Sequence, residues 1–127
     1  MEKIAFITGA NRGIGFETSK QLAQKNIKVI LGSRDLDKGK KAIEKLSTDG
    51  IDADLIQYDA FDLSAPQKVY DYISKEYNKL DILINNAGVL LTGNLFVTNS
   101  STVSDKDIKD TFQTNLFSVI SLTQKLL

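Results

Sequence analysis

Short apolar runs alternate along the chain with segments whose apolar residues recur at helical spacing. Ile4 to Ile7 is the first run, and Thr8-Gly9 closes it at once. A run bounded by glycine in this way reads as a strand buried on both faces. From Gly13 to about Lys25, Ile14, Leu22 and Ala23 fall among polar residues as they would on a helix. Val29 to Leu31 predicts a second strand, ending at Gly32-Ser33-Arg34. Asp37 to Leu46 is rich in Lys and Glu with Ala42, Ile43 and Leu46 on one side, and predicts an amphipathic surface helix. Asp54 to Tyr58 is a third strand, followed by Asp59. Ser64 then reads as the cap of a third helix, with Pro66 tolerated in its first turn and Gln67 three residues beyond the cap. Val69, Tyr72, Ile73 and Tyr77 supply that helix with a buried stripe. Asp81 to Ile84 is a fourth strand, closed by Asn85-Asn86-Ala87-Gly88. Thr92 to about Ser104 is polar and signals no element. Asp105 to Leu127 predicts a long helix with Ile108, Phe112, Leu116, Val119, Ile120 and Leu127 approximately in phase.

Strand–helix alternation of this kind specifies a parallel sheet with helices on both faces, here one domain over residues 1–127. Right-handed crossovers put the carboxyl ends of all strands on one edge, where ligands of such sheets bind. Thr8-Gly9, Gly32-Ser33-Arg34, Asp59 and Asn85 to Gly88 are all strand ends, so four unusual clusters share that edge and mark it as a site. No linker, repeat or low-complexity segment divides the chain.

Composition narrows the chemistry. Sixteen basic and 16 acidic residues cancel, which gives no basis for a nucleic-acid or membrane-surface partner. Neither Cys nor His occurs, which excludes disulfides, thiolate zinc sites, a cysteine nucleophile and the Ser-His-Asp triad, and leaves no metal site expected. Any catalysis rests on hydroxyls, Lys, Asn, carboxylates or a cofactor. No stretch approaches the roughly 18 apolar residues of a membrane span, and Met1 to Ile7 run into the first strand without a signal-peptide region. The expected location is cytoplasmic, which makes Asn99-Ser100-Ser101 a chance match to a glycosylation triplet.

Thr8-Gly9-Ala10-Asn11-Arg12-Gly13-Ile14-Gly15 follows a strand and opens a helix. Glycines there let the backbone approach a pyrophosphate, and the helix start offers unpaired N–H groups and a positive dipole end. The spacing is Gly-x-x-x-Gly-x-Gly and lacks the Gly-Lys-Ser/Thr ending of a nucleoside-triphosphate loop. The same glycines also suit a plain strand-to-helix turn with positive φ and no ligand.

Together with Asn85 to Gly88, this turn resembles the fingerprint of the short-chain dehydrogenase/reductase family, Thr-Gly-x-x-x-Gly-x-Gly and Asn-Asn-Ala-Gly. Within the family the sequence is most similar to the carbonyl reductase-like members, through Thr8 to Phe16 and Leu80 to Gly88. The resemblance covers essentially the whole chain. It implies a Rossmann-type doubly wound parallel sheet (α/β class), truncated after about four strands and the following long helix, and hence an incomplete NAD(P)-binding domain. It also implies that Gly9, Asn11, Arg12, Gly13, Ile14 and Gly15 embrace the cofactor phosphates, while Asn86, Ala87 and Gly88 line its pocket. Asp59 matches the family's adenine-contacting aspartate, with Ala60 beside it.

The cofactor-selecting position lies about 20 residues past the glycine turn, where an acidic residue favours NAD and a nearby arginine favours a 2′-phosphate. Ser33 stands where NAD-preferring relatives tend to carry Asp, and Arg34 follows. Arg12 supplies a second guanidinium, so NADP(H) is expected over NAD. Against this, Asp35 is placed to pair with Arg34, and any single arginine can be an ordinary solvated surface residue.

In the family a Tyr, with a Lys four residues on, exchanges the proton; a Ser holds the substrate oxygen and a helix Asn keeps the relay water in place. A phenol with pKa about 10 needs such help at neutral pH. Asn115, in Thr114-Asn115-Leu116-Phe117, matches the helix asparagine; an amide making a local polar contact is the alternative. Tyr58, Tyr70, Tyr72 and Tyr77 are followed four residues later by Asp62, Ser74, Glu76 and Asp81, so no Tyr-x-x-x-Lys is present. The expectation is the cofactor-binding portion of an NADP-dependent oxidoreductase of carbonyls or alcohols, inactive alone, with its small-molecule substrate recognised elsewhere. The competing readings are a non-catalytic dinucleotide-binding or regulatory module and, more distantly, a flavodoxin-like domain, against which Asn85 to Gly88 argue.

Overall fold

Four parallel strands order themselves β3-β2-β1-β4, with β1 at Ile4–Ile7, β2 at Lys28–Ser33, β3 at Asp54–Gln57 and β4 at Ile82–Ile84. Helices α1 (Gly13–Gln24), α2 (Leu36–Thr48) and α3 (Ala65–Glu76) connect them, and α4 (Ser118–Leu126) follows a π-helical turn at Gln113–Phe117. The computed structural model describes residues 2–88, 106, 109 and 113–126. The polar stretch from Thr92, the Asn99 triplet, Ile108, Phe112 and Leu127 lie outside the described residues.

The continuous apolar run of β1 is explained by two packed layers. Ile4 and Phe6 face one side with Ile30, Val69, Ile73 and Leu122; Ala5 and Ile7 face the other with Val29, Leu31, Ala42 and Leu46. Both faces of the sheet are thus covered by helices, as the doubly wound expectation requires. β2 runs past its apolar stretch because Gly32 lies against Phe6: a Cβ there would come within 2.9 Å of Phe6 Cζ. The opposite, amino edge of the sheet is held by carboxylates. Asp81 accepts the Ile4 N–H at 2.8 Å, and Asp54 accepts the Tyr72 and Tyr77 hydroxyls while lying 3.3 Å from Lys28 Nζ.

Three local expectations are corrected. Ser64 does not cap α3: its backbone is already helical (φ −87°, ψ −9°), whereas a capping side chain needs extended backbone to reach the first amides. Its hydroxyl and N–H both go to Asp62 Oδ1, at 2.6 and 2.9 Å, and with Lys68 these bonds hold the Asp62 carboxyl down to about 2. Ile14 is not part of the buried face of α1; it is 80% exposed, and Gly15 and Ser19 are the residues against the sheet. The phase of the last helix also differs. Ser118 and Leu122 are buried, while Leu116 and Ile120 are exposed. One extra residue in a π turn rotates everything after it by about 100°, which moves the stripe predicted for an unbroken helix off the core.

Candidate functional site

The carboxyl edge is built from two interlocked turns. Leaving β1, the Thr8 N–H donates to Ile84 O at 3.0 Å, and the Ala10 N–H donates to Gly32 O at 3.0 Å. Between them Gly9 takes φ +60°, and a Cβ on it would lie 2.9 Å from Ala87 Cα, so conformation and crowding both demand glycine. Gly13 also has positive φ, +61°, but nothing lies within 4 Å of its Cβ direction; the space above it is open. Arg12 occupies the position before α1 and offers no capping oxygen, and no acidic residue sits in the first turn. The first amides of α1 therefore have no side-chain acceptor, an arrangement that suits an anion.

Asn85 to Gly88 is stitched to this turn. The buried Thr8 hydroxyl oxygen accepts the N–H groups of Asn86 and Ala87 at 3.0 and 2.9 Å. Asn85 Nδ2 donates to Thr123 Oγ1 on α4 at 3.3 Å, which anchors the segment on its other side.

A cleft of about 310 Å³ opens over these turns. Gly9, Asn11, Arg12 and Gly13 form one wall, Asn86, Ala87 and Gly88 another, and Arg34, Asp59 and Ala60 close the third. Arg12 and Arg34 are exposed and neither makes an ion pair among the described residues. Asp35, the feared partner of Arg34, is engaged elsewhere: its Oδ1 accepts the Asp37 and Lys38 N–H groups at 2.9 and 3.2 Å and caps α2.

Ser33, Ile14 and Gly15 do not line the cleft. Ser33 is 1% exposed, with its hydroxyl donated to Asp35 O at 2.8 Å. Gly15 lies beneath the turn, and Ile14 faces a shallow groove along α1 with Glu17 and Thr18. Asn115 sits in the π turn beside the end of the Asn85 to Gly88 segment, its Oδ1 3.2 Å from where a Gly88 Cβ would be.

Two lining residues escaped the sequence reading, Tyr58 and Phe61. Tyr58 stands edge-on to Phe6, with ring centroids 6.2 Å apart; burial pushes its phenol up, against a hydrogen bond from Ser118. The available signal was an aromatic residue on either side of a strand-ending aspartate. Among the described residues no group of His, Cys, Asp or Glu could hold a metal ion, and no helix is long and apolar enough to cross a membrane.

Comparison with known proteins places this geometry in a family. Residues 3–127 match the family model described as short chain dehydrogenase. The chain is 34% identical over 125 residues to carbonyl reductase (NADPH) 1 of Mus musculus, covering 98% of this chain and 43% of that protein. It is 41% identical over 91 residues to short-chain dehydrogenase/reductase 1 of Saponaria officinalis, covering 69% of this chain and 30% of that one. A structure of a variant actinorhodin polyketide ketoreductase with NADPH superimposes with TM-score 0.90 at 25% identity, over 99% of this chain and 46% of that one. A metagenomic short-chain oxidoreductase in complex with NADP shares the fold, with TM-score 0.87 at 24% identity over 98% of this chain and 54% of that one. The chain thus spans under half the length of these curated relatives and about half that of the solved structures. On the match over residues 3–127, the chain belongs to the short-chain dehydrogenase family.

Proposed function

We propose that this chain holds NADP(H) along the carboxyl edge of its sheet, as the cofactor-binding portion of a cytoplasmic oxidoreductase. The reaction is hydride exchange between the nicotinamide and the carbon of a small carbonyl or alcohol substrate. The observation that carries the reading is the pairing of uncapped α1 amides with two exposed arginines that have no ion-pair partner. Open space over Gly13 and the absence of any carboxylate at Ser33 fit a phosphorylated dinucleotide. The relatives named for NADPH and the structures solved with NADPH and NADP support the same choice.

Each part of the site has an assigned task in this reading. Backbone from Gly9 to Gly15 cradles the pyrophosphate, with Asn11 and Ile14 shaping the turn. Arg12 and Arg34 hold the 2′-phosphate in forked, charge-assisted bonds, and the small, neutral Ser33 leaves that phosphate room. Asp59 and Ala60 hold the adenine, and Asn86, Ala87 and Gly88 line the pocket towards the reacting end. When bound, NADP(H) supplies or takes the hydride. Asn115 is a positioning residue that steadies water for proton transfer. The 127 residues hold no Tyr-x-x-x-Lys, so the chain alone binds cofactor without reducing a carbonyl. That absence also favours the second reading, a dinucleotide-binding or regulatory module without catalysis.

Titration with NADPH and NADH, followed by nicotinamide fluorescence, tests the proposal. NADPH is expected to bind more tightly. Binding of neither sinks the reading, and preference for NADH overturns the roles of Arg12 and Arg34. Joining the chain to a second half with the Ser and Tyr-x-x-x-Lys separates the two readings, since only the oxidoreductase gains carbonyl reduction.

A further inference from the structure

Phe61 is an aromatic residue in a polar loop whose ring is put to no use by the fold. Among the described residues it packs into neither core cluster and meets no other ring, and it is 39% exposed in the cleft wall. Tyr58, two places earlier on the same wall, is by contrast 5% exposed and built into the core. The Phe61 backbone is held firmly. Its N–H donates to Asp59 Oδ1 at 3.0 Å, and the neighbouring Ala60 carbonyl accepts Gln113 Nε2 at 3.2 Å. An apolar ring held in open view at a polar cleft costs hydration free energy that a flat ligand can recover.

The chemistry around the ring narrows the ligand. Arg34 lines the same cleft and offers a planar cation, which stacks on heteroaromatic rings. Asp59 uses one carboxylate oxygen for the Phe61 N–H, and the other has no protein partner among the described residues, so it is available to an exocyclic amino group. A planar, electron-rich base with an amino donor meets all three. Sheet order decides which end of a dinucleotide this is. The Phe61 loop follows β3 at one edge of the sheet, whereas Gly88 and Asn115 follow β4 at the other.

We propose that Phe61 is a stacking face for the adenine of the bound dinucleotide, a residue of the site additional to those the family fingerprint marks. This rests on the cofactor reading of the cleft given above. The aromatic ring sets affinity for the adenine end and leaves the nicotinamide end unaffected.

The test uses the whole chain with three probes: NADPH, 2′,5′-ADP, and reduced nicotinamide mononucleotide, which has no adenine. Stacking losses measured by alanine substitution imply that Phe61→Ala weakens 2′,5′-ADP and NADPH by about tenfold. The nicotinamide mononucleotide should bind both chains alike. The sequence contains no Trp, so Phe61→Trp creates a single indole reporter. That chain should keep its affinity, and 2′,5′-ADP should quench its emission where ribose 5-phosphate does not. If the native chain binds NADPH and Phe61→Ala binds it equally well, the stacking role is wrong while the cofactor reading stands. Emission in Phe61→Trp that stays constant through saturating 2′,5′-ADP overturns the role in the same way. If the native chain binds no adenine nucleotide at all, both readings fall.

Discussion

The side-chain amide of Asn86 donates to the carbonyl of Gly9 at 3.0 Å, across 77 residues of sequence. The bond fastens the loop after β4 to the turn after β1, and its amide fills the space over Gly15. A Cβ on Gly15 would lie 2.5 Å from Asn86 Nδ2 and equally 2.5 Å from Gly9 O. The two sequence fingerprints are therefore one structural unit, each requiring the residue types of the other.

Gly15→Ala should consequently destabilise the chain by about 1–3 kcal/mol, the usual cost of forcing a methyl into a packed site. Asn86→Ala alone should cost about 1 kcal/mol or somewhat more, because the Gly9 carbonyl loses its partner. Combining the two should not restore stability. The Asn86 amide can swing aside, but Gly9 O is backbone and stays in place. Thermal melts of the two single variants and the double check this, and recovery in the double would show that the amide alone excludes a side chain.

Arg12→Ala and Arg34→Ala should each weaken NADPH by about tenfold or more, since a bond to a charged group is worth about 1.5–3 kcal/mol. NADH, lacking the 2′-phosphate, should change little. The NADPH advantage should also shrink with added salt, because both arginines are exposed and screened. Paired titrations at two ionic strengths measure this; equal losses for NADPH and NADH would assign the arginines to the shared pyrophosphate instead.

What was legible in the sequence is what the backbone dictates. The run Ile4–Ile7 is apolar throughout because both its faces are buried, and Gly9 and Gly13 are glycines because their φ values are positive. Asn115 could be placed beside Gly88 only through the family resemblance, because no local signal links two positions on separate elements. The failures came where a neighbour took over a local role. Asp62 took the Ser64 hydroxyl, and the Ser33 hydroxyl turned inwards to Asp35. The π turn changed the phase of α4, which a constant helical period cannot reveal. Phe61 went unnoticed because its position depends on the Asp59 turn, not on any apolar period.

Acid should unfold the protein through specific carboxylates. Burial raises the Asp54 carboxyl, but the Tyr77 and Tyr72 hydroxyls and Lys28 outweigh it and the net shift is downward. Asp81 is lowered by the Ile4 N–H, then by Lys79, and Asp62 lies at about 2. A lowered folded pKa contributes stability that is present above the unfolded value, near 3.8, and lost as pH falls through the folded one. Stability should therefore hold above about pH 4 and decline towards pH 2. Tyr72→Phe should move the acid transition to higher pH by removing a donor from Asp54. Asp54→Asn should lower stability at neutral pH and flatten the acid limb. Burial and Asp54 push Tyr72 and Tyr77 up, so their contribution is intact below about pH 10 and erodes above it. Circular dichroism against pH reads both limbs, and unchanged acid midpoints in both variants would remove Asp54 from the account.

Asn115 is best tested in a protein that joins this chain to a second half carrying the Ser and Tyr-x-x-x-Lys. Positioned proton transfer contributes about a hundredfold or more, so loss of a group that steadies the relay should lower kcat by about tenfold. The KM for NADPH should stay constant, because Asn115 lies in the π turn beside Gly88 and does not line the cleft. Gly88→Ala is the milder companion: its methyl would stand 3.2 Å from Asn115 Oδ1 and displace the amide by a few tenths of an ångström, so a smaller fall in kcat is expected. A residue that merely supports the helix would behave differently, lowering the melting temperature and raising the KM along with the loss in kcat. An Asn115→Ala protein with native kcat would leave the relay water to be held by other groups.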